Sequence, residues 1–327
     1  MPVMTMVEAI RDALFLELER DERVMVIGQD VGRLGGVFRA TDGLQEKFGE
    51  DRVVDMPLAE AVIAGSALGL AVSGMRPVAE IQFLGFGHQA FHQIGPHIAR
   101  MRYRSQGRFA APLTIRAPFG GLVRTPEHHC DAIEAQFVQC PGLKIVMPAT
   151  AYDAKGLLLA SIRDDDPVLF CEPLRGYRLI KDEVPDGDYT VELGKARVAR
   201  EGDDVTIIAW SAMVKTAEQA ADMLAEHGVS AHVLDLRCLV PLDVEAIVEA
   251  VERTGRVVVA HEAPLTAGFG AEVIATINDE AFYALEAPIR RVTAPDTPYP
   301  LAGVEDFYVP NAERVAAAAL DVVRTVA

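Results

Sequence analysis

Apolar positions along the chain alternate between short solid runs and longer helical stripes, with polar or Gly/Pro punctuation between them. Thr5-Met6-Val7-Glu8 has the spacing of a capping box and predicts a helix to about Arg20. Val24–Ile27 predicts a buried strand, Gly28–Gly36 a loop and Val53-Val54 a second strand. Asp55-Met56-Pro57 leads into a helix from Leu58 to Ser73 that stops at Gly74, with Pro57 suited to a first helical position. Further strands are expected at Val78–Phe83, Leu113–Arg116, Lys144–Met147 and Val168–Cys171, with helices at His88–Tyr103 and Tyr152–Arg163. Apolar strands joined by crossover helices imply an α/β fold whose parallel sheet is covered on both faces.

The pattern breaks between about Pro173 and Arg200, where Val184-Pro185-Asp186-Gly187-Asp188 reads as a connection. It then resumes with strands at Val205–Trp210, Ala231–Leu236 and Arg256–Ala260, and helices at Lys215–His227, Val244–Arg253 and Ala271–Asp279. The expectation is two α/β units, 1–180 and 201–327, joined by a linker at 181–200. A chain of 327 residues is long enough for two cores. The formal charge of −17 lacks the clustered cations that nucleic acid requires. No apolar run is long enough for a membrane span, and the start of the chain resembles no signal peptide. Cys130, Cys140, Cys171 and Cys238 have no paired spacing, so reduced thiols in a cytoplasm are expected.

The segment Ala61–Val72 is apolar or small all round, which predicts a helix buried on every side. Ala61, Gly65 and Gly69 recur every fourth residue, and a close-packing face, as at a subunit contact, is expected there. One carboxylate, Glu60, sits in its first turn. Buried and unpaired it would cost several kcal/mol, so it must find a partner or keep its proton. It is either an acid stabilised by the helix dipole or a functional acid, and physics alone leaves both open. Thr125-Pro126-Glu127-His128-His129-Cys130-Asp131 places two histidines in a loop shaped by Gly120-Gly121 and Pro126. Neighbouring histidines rarely share one metal, and a random histidine is more often structural; a loop on a rigid sheet favours a working one. Gly268-Phe269-Gly270-Ala271 is only half of a dinucleotide fingerprint and better suits a turn and helix start.

Gly28-Gln29-Asp30-Val31-Gly32, Asp55-Met56-Pro57-Leu58-Ala59-Glu60, Glu80-Ile81-Gln82-Phe83, Glu127-His128-His129 and Cys140-Pro141-Gly142-Leu143-Lys144 occur in that order. With Tyr152-Asp153-Ala154-Lys155-Gly156-Leu157-Leu158, Asp166-Pro167-Val168, Glu172-Pro173 and Asp296-Thr297-Pro298-Tyr299-Pro300, they resemble the beta subunits of pyruvate and branched-chain 2-oxo acid dehydrogenases along essentially the whole chain. The resemblance implies a pyrimidine-binding domain followed by a transketolase C-terminal-type domain, assembled with an alpha subunit as α₂β₂. It implies thiamine diphosphate shared between the subunits, with Mg²⁺ held by the alpha chain; the Gly-Asp-Gly…Asn signature of that metal does not occur here.

By that resemblance Glu60 matches the glutamate that bonds the aminopyrimidine ring and steers its tautomer. Leu58, Gln82 and Phe86 match positions lining the pyrimidine pocket, although without the resemblance ordinary core packing is the preferred reading of Leu58 and Phe86. His129 matches the catalytic histidine, a proton carrier, with His128 beside it. Ala111, Leu113, Thr114, Ser161, Asp164 and Asp166 match a structural K⁺ site of some members, while Asp164–Asp166 alone read as a solvated turn. Gln29 replaces a usual glutamate, His88 and His92 replace an aromatic and an acid, and Cys130 replaces a serine.

The implied activity is oxidative decarboxylation of a 2-oxo acid with acyl transfer to a lipoyl domain, and the acidic second unit would dock the acyltransferase core. Glu80-Ile81-Gln82-Phe83 and Phe170-Cys171-Glu172-Pro173 lean toward branched-chain substrates over pyruvate. The rival readings are a non-catalytic assembly subunit, with Gln29 and His92 as marks of decay, and an NAD-dependent dehydrogenase.

Overall fold

The structure, a computed structural model, describes residues 1–325; the last two residues of the second expected unit lie outside the described residues. In chain order the strands are β1 (Val3–Thr5), β2 (Val24–Gly28), β3 (Val53–Asp55), β4 (Arg76–Glu80), β5 (Thr114–Phe119), β6 (Lys144–Val146) and β7 (Val168–Pro173). They continue with β8 (Lys181–Glu183), β9 (Arg197–Arg200), β10 (Val205–Ala209), β11 (Ala231–Asp235), β12 (Cys238–Val240), β13 (Val257–Pro264) and β14 (Arg290–Ala294).

A seven-stranded sheet has the order β12-β6-β7-β5-β4-β2-β3, and all of its pairs are parallel except β12 with β6. A five-stranded sheet has the order β14-β13-β10-β11-β9, parallel except for β9. β1 and β8 form a separate antiparallel pair. The inner strands β2, β5, β7 and β10 are buried along their whole length, as sheets covered on both faces require. The helix Met6–Arg20 starts on the expected capping box and buries Ala9, Ile10, Ala13 and Leu14 in the same core as Leu157, Leu158 and Ile162 of the helix Ala151–Arg163.

Several expectations change. β12 comes from the second half of the chain yet pairs with the first sheet, so the two layers are stitched together rather than merely linked. β9, β12 and β14 have no counterpart among the expected strands. All three lie at sheet edges and are short, and β14 opens on the polar pair Arg290-Arg291. The helix expected over His88–Tyr103 is three pieces: Gly87–His92, a widened turn over Gln93–Ala99, and Met101–Arg104. Pro96 lies in the middle piece and lacks the N–H that would continue the regular ladder.

The key helix begins at Glu60, not at Leu58, and runs to Val72. The Met56 N–H donates to the Gly28 carbonyl (2.7 Å), and Asp55 is engaged by the neighbouring loop. The chain therefore leaves the sheet extended, and Pro57 precedes the helix. Nor is this helix buried on every side. Glu60, Ile63, Ala64, Ala67 and Ala71 are buried, whereas Val62 is 50% exposed and an added Cβ on Gly69 would meet nothing within 4 Å. Along the small-residue face Gly69 is open, whereas Ala61 and Gly65 are half-buried and a Cβ on Gly65 would touch the Gln93 side chain at 3.8 Å. All four cysteines are free and buried, and among the described residues no helix is long and apolar enough to cross a membrane.

Candidate active site

The candidate residues gather at the carboxyl ends of the parallel strands, where open α/β sheets bind ligands. Glu60 opens the helix that follows β3, Gln82 and Phe86 follow β4, and His129 lies on the loop after β5. Asp55, at the end of β3, receives the Gly32 N–H (2.7 Å) and the Arg33 N–H (3.3 Å), fixing the Gly28–Gly36 loop over the sheet end. Gly32 is needed there, because a Cβ would fall 2.7 Å from Asp55 Oδ2. Gln82 donates through Nε2 to Asp30 Oδ2 of the same loop (3.3 Å).

Glu60 is 4% exposed, and its Oε2 is buried without a hydrogen-bond partner. Its helix also has no side-chain cap, since Ala59 is the capping residue. An acid that merely capped this helix would take its free N–H groups, which Glu60 Oε2 does not. A buried carboxyl oxygen with no partner is costly unless something else comes to it. The geometry therefore favours the functional reading of Glu60.

Phe83, Phe86 and His129 form an aromatic corner. The His129 ring meets Phe83 edge-on at 4.4 Å and Phe86 at 5.1 Å, and the two phenylalanines lie 5.4 Å apart. The His129 Nδ1 is buried without a partner. The turns fit closely, for a Cβ on Gly85 would fall 2.3 Å from the His128 carbonyl. The site thus brings together Gln82, Phe86 and His129, whereas Leu58 is 68% exposed on the surface beside Glu60. His128 points outward, 3.7 Å from Asp131, whose pKa burial raises above its ordinary value. Of the departures, His88 Nε2 contacts the Gln136 side-chain oxygen Oε1 (2.9 Å) and His92 packs edge-on against His97.

Beneath the site, Arg116 of β5 is wholly buried between Glu80 of β4 (2.7 Å) and Glu172 of β7 (2.7 Å). The Tyr177 hydroxyl donates to Glu172 as well. Burial raises the pKa of Glu80, opposed by Arg116. Burial alone would lower Arg116; Glu172 and Glu80 reverse this and raise it. Sequence reasoning gave this triad no role.

The expected K⁺ donors do not fit an ion. Lys144 Nζ sits on Asp164 Oδ2 (2.5 Å), Arg76 Nη1 donates to the Asp164 carbonyl (3.0 Å), and Arg102 Nε donates to Asp166 Oδ1 (2.6 Å). The Ala111, Leu113 and Ser161 carbonyls accept N–H groups of the chain itself. Thr114 Oγ1 alone is buried without a partner. Protein cations already neutralise both aspartates, and no ion is assigned there. The half fingerprint also has a structural explanation: a Cβ on Gly268 or Gly270 would fall 2.6 or 2.7 Å from the His261 ring. His261 stacks on Trp210, and burial lowers its pKa to about 4.

A buried acid at the sheet end and an aromatic corner thus lie on the first of two α/β layers, and both layers match known family models. The family model "Transketolase, pyrimidine binding domain" matches residues 3–178, and "Transketolase, C-terminal domain" matches 194–315. The chain is similar to a solved split-gene transketolase described as an inactive beta4 tetramer (TM-score 0.80, 27% identity, 98% of each chain). It shares its fold with a transketolase from Leishmania mexicana (TM-score 0.70, 15% identity, 99% of this chain and 46% of that one). It is 55% identical to the pyruvate dehydrogenase E1 component subunit beta of Bacillus subtilis (strain 168), and 53% identical to that of Staphylococcus epidermidis; each comparison covers 95% of this chain and 96% of the relative. The chain belongs to the beta subunits of the decarboxylating components of 2-oxo acid dehydrogenases. These relatives are named for pyruvate and lend no support to the branched-chain leaning.

Proposed function

We propose that this chain supplies the pyrimidine-binding half of a thiamine diphosphate site and that, with an alpha subunit, it decarboxylates pyruvate and passes the acyl group to a lipoyl acyltransferase. The observation that carries the reading is the Glu60 carboxyl, buried with Oε2 unpartnered beside the open face of its own helix. When bound, the cofactor supplies the carbon that attacks the 2-oxo carbonyl and takes up the electron pair left as CO₂ departs. Glu60 holds a proton at the pyrimidine nitrogen, where a hydrated carboxylate would have little influence. Phe86 and Leu58 offer apolar surface to the ring, and Gln82, tied to Asp30, offers it polar contact. His129, gripped by Phe83 and Phe86, moves a proton near the substrate.

The open face around Val62 and Gly69 and the exposed Leu58 support a partner chain closing the site. The alpha subunit is assigned the Mg²⁺-diphosphate end, in keeping with the missing Gly-Asp-Gly…Asn signature. The division into a pyrimidine-binding unit to about residue 180 and a second unit from about 201 is part of the same proposal.

Glu60→Gln tests the reading in enzyme co-purified with its alpha partner. Turnover of pyruvate should fall by about a hundredfold or more while the subunits still assemble. Unchanged turnover would leave only an assembly role. A scan of 2-oxo acids on the unmodified enzyme should give pyruvate the highest kcat/KM.

A further inference from the structure

The loop that carries His129 is held from outside its own sheet. After β5 ends at Phe119, Gly120, Leu122 and Arg124 adopt left-handed φ of +96°, +64° and +59°. Glycine takes that region freely, but leucine and arginine do so only when their surroundings over-determine them. The surroundings here come from the C-terminal part of the chain. The Gly121 N–H donates to Glu262 Oε2 (3.3 Å), the Leu122 N–H to Tyr299 Oη (3.0 Å) and the Arg124 N–H to Glu305 Oε1 (2.8 Å).

Tyr299 in turn donates its O–H to Glu305 Oε2 (2.6 Å), so these two side chains act as one unit. Glu305 is fully buried and Tyr299 is 5% exposed. Burial and the Glu305 carboxylate keep the Tyr299 pKa well above its ordinary value, so it remains a donor. The contact leaves no slack: a Cβ on Gly121 would fall 2.2 Å from Tyr299 Oη. At the far end of the loop Cys130, next in sequence to His129, is buried in one cluster with Tyr299, Tyr308 and Val309.

We propose that Tyr299 and Glu305 are positioning residues for His129, holding the strained loop so that the imidazole stays in the corner formed by Phe83 and Phe86. The C-terminal layer thereby takes part in the chemistry of a site formed by the first. The inference rests on the reading of His129 as a proton carrier. With the anchor removed, Leu122 and Arg124 relax toward ordinary φ and the histidine loses its fixed place.

The test uses the assembled alpha–beta enzyme and the variants Tyr299→Phe, Glu305→Ala, Glu305→Gln and His129→Ala. Tyr299→Phe keeps the ring and removes only the hydroxyl, so it carries the test should Glu305→Ala fail to fold. Tyr299→Phe and Glu305→Ala should each lower kcat about tenfold, change KM for the 2-oxo acid by no more than about twofold, and displace the pH limb of kcat that is lost in His129→Ala. Glu305→Gln, which still offers an acceptor to the Arg124 N–H, should recover most of the loss. In the His129→Ala background, Glu305→Ala should cost no more than about twofold, because the two changes disable one function.

Wild-type kcat and pH profile in Tyr299→Phe and Glu305→Ala, with His129→Ala impaired, would overturn the anchoring. Equal losses in both backgrounds would do the same, since they would show a purely structural role. Full turnover by His129→Ala would overturn the reading of His129 together with its anchor.

Discussion

Arg116→Met should destabilise the protein by about 3–5 kcal/mol at pH 8, the usual result of removing one partner from a buried ion cluster. The guanidinium is wholly buried, with Glu172 on one side and Glu80 on the other, all on adjacent strands. Its removal leaves two carboxylates in a dry sheet, Glu172 with only the Tyr177 hydroxyl and Glu80 without its one side-chain partner. Burial already raises Glu80 even with the arginine present. Without Arg116 both acids should take up protons more readily, so the deficit should shrink as pH falls toward 5. Combining Glu80→Gln and Glu172→Gln with Arg116→Met should restore much of the stability, since removing the whole charge set is far less harmful than removing its centre. Urea unfolding of wild type, Arg116→Met and the triple variant at both pH values measures this. Equal stability of Arg116→Met and wild type at pH 8 would contradict it.

Glu134→Gln should act in the opposite direction. Glu134 is 1% exposed, and burial raises its pKa to about 7 from an ordinary 4.5; its own backbone N–H opposes this, repulsion from Glu262 adds to it, and the Trp210 side chain opposes it least. The folded state therefore binds this proton more tightly than the unfolded chain. Stability from this group is full below about pH 4.5, falls as pH rises toward 7 and is level above that. The interval corresponds to about 3 kcal/mol. Glutamine carries no charge, so Glu134→Gln should be more stable than wild type by up to about 3 kcal/mol at pH 8 and no more stable near pH 4.5. Trp210, the one tryptophan in the sequence, lies beside Glu134 and reports the unfolding by fluorescence. A stability difference independent of pH would contradict the assignment.

How much was legible in the sequence follows from the physics of each element. The inner strands of both sheets announce themselves as solid apolar runs, and the capping box fixed the first helix to the residue. The arginine-rich β14 carries no such run, and the apolar run of β12 is only three residues long and crosses to the other sheet, a pairing that no local pattern encodes. Pro57 misled by three residues, because the sheet bond at Met56 delays the helix. The open face of that helix looked like core because a surface awaiting a partner has the composition of an interior.

Glu60 was conspicuous as the one acid in an apolar helix, and the structure adds its unpartnered oxygen. His129 was distinguished from its neighbours only by family resemblance, and its aromatic corner needed the fold to appear. Its anchors were invisible, for the Leu122–Tyr299 and Arg124–Glu305 bonds join residues 177 and 181 positions apart. The ion pairs at the expected K⁺ donors were hidden for the same reason: Lys144, Arg76 and Arg102 reach Asp164 and Asp166 only once the chain is folded.

The central claim is that one buried carboxyl meets the coenzyme. A crystal structure of the alpha–beta enzyme with thiamine diphosphate bound decides it most directly. Glu60 should lie within hydrogen-bonding distance of a pyrimidine ring nitrogen, with no water between them and the helix face around Val62 covered by the alpha chain. A ring bound elsewhere, or Glu60 turned into solvent with the ring in place, would contradict the account.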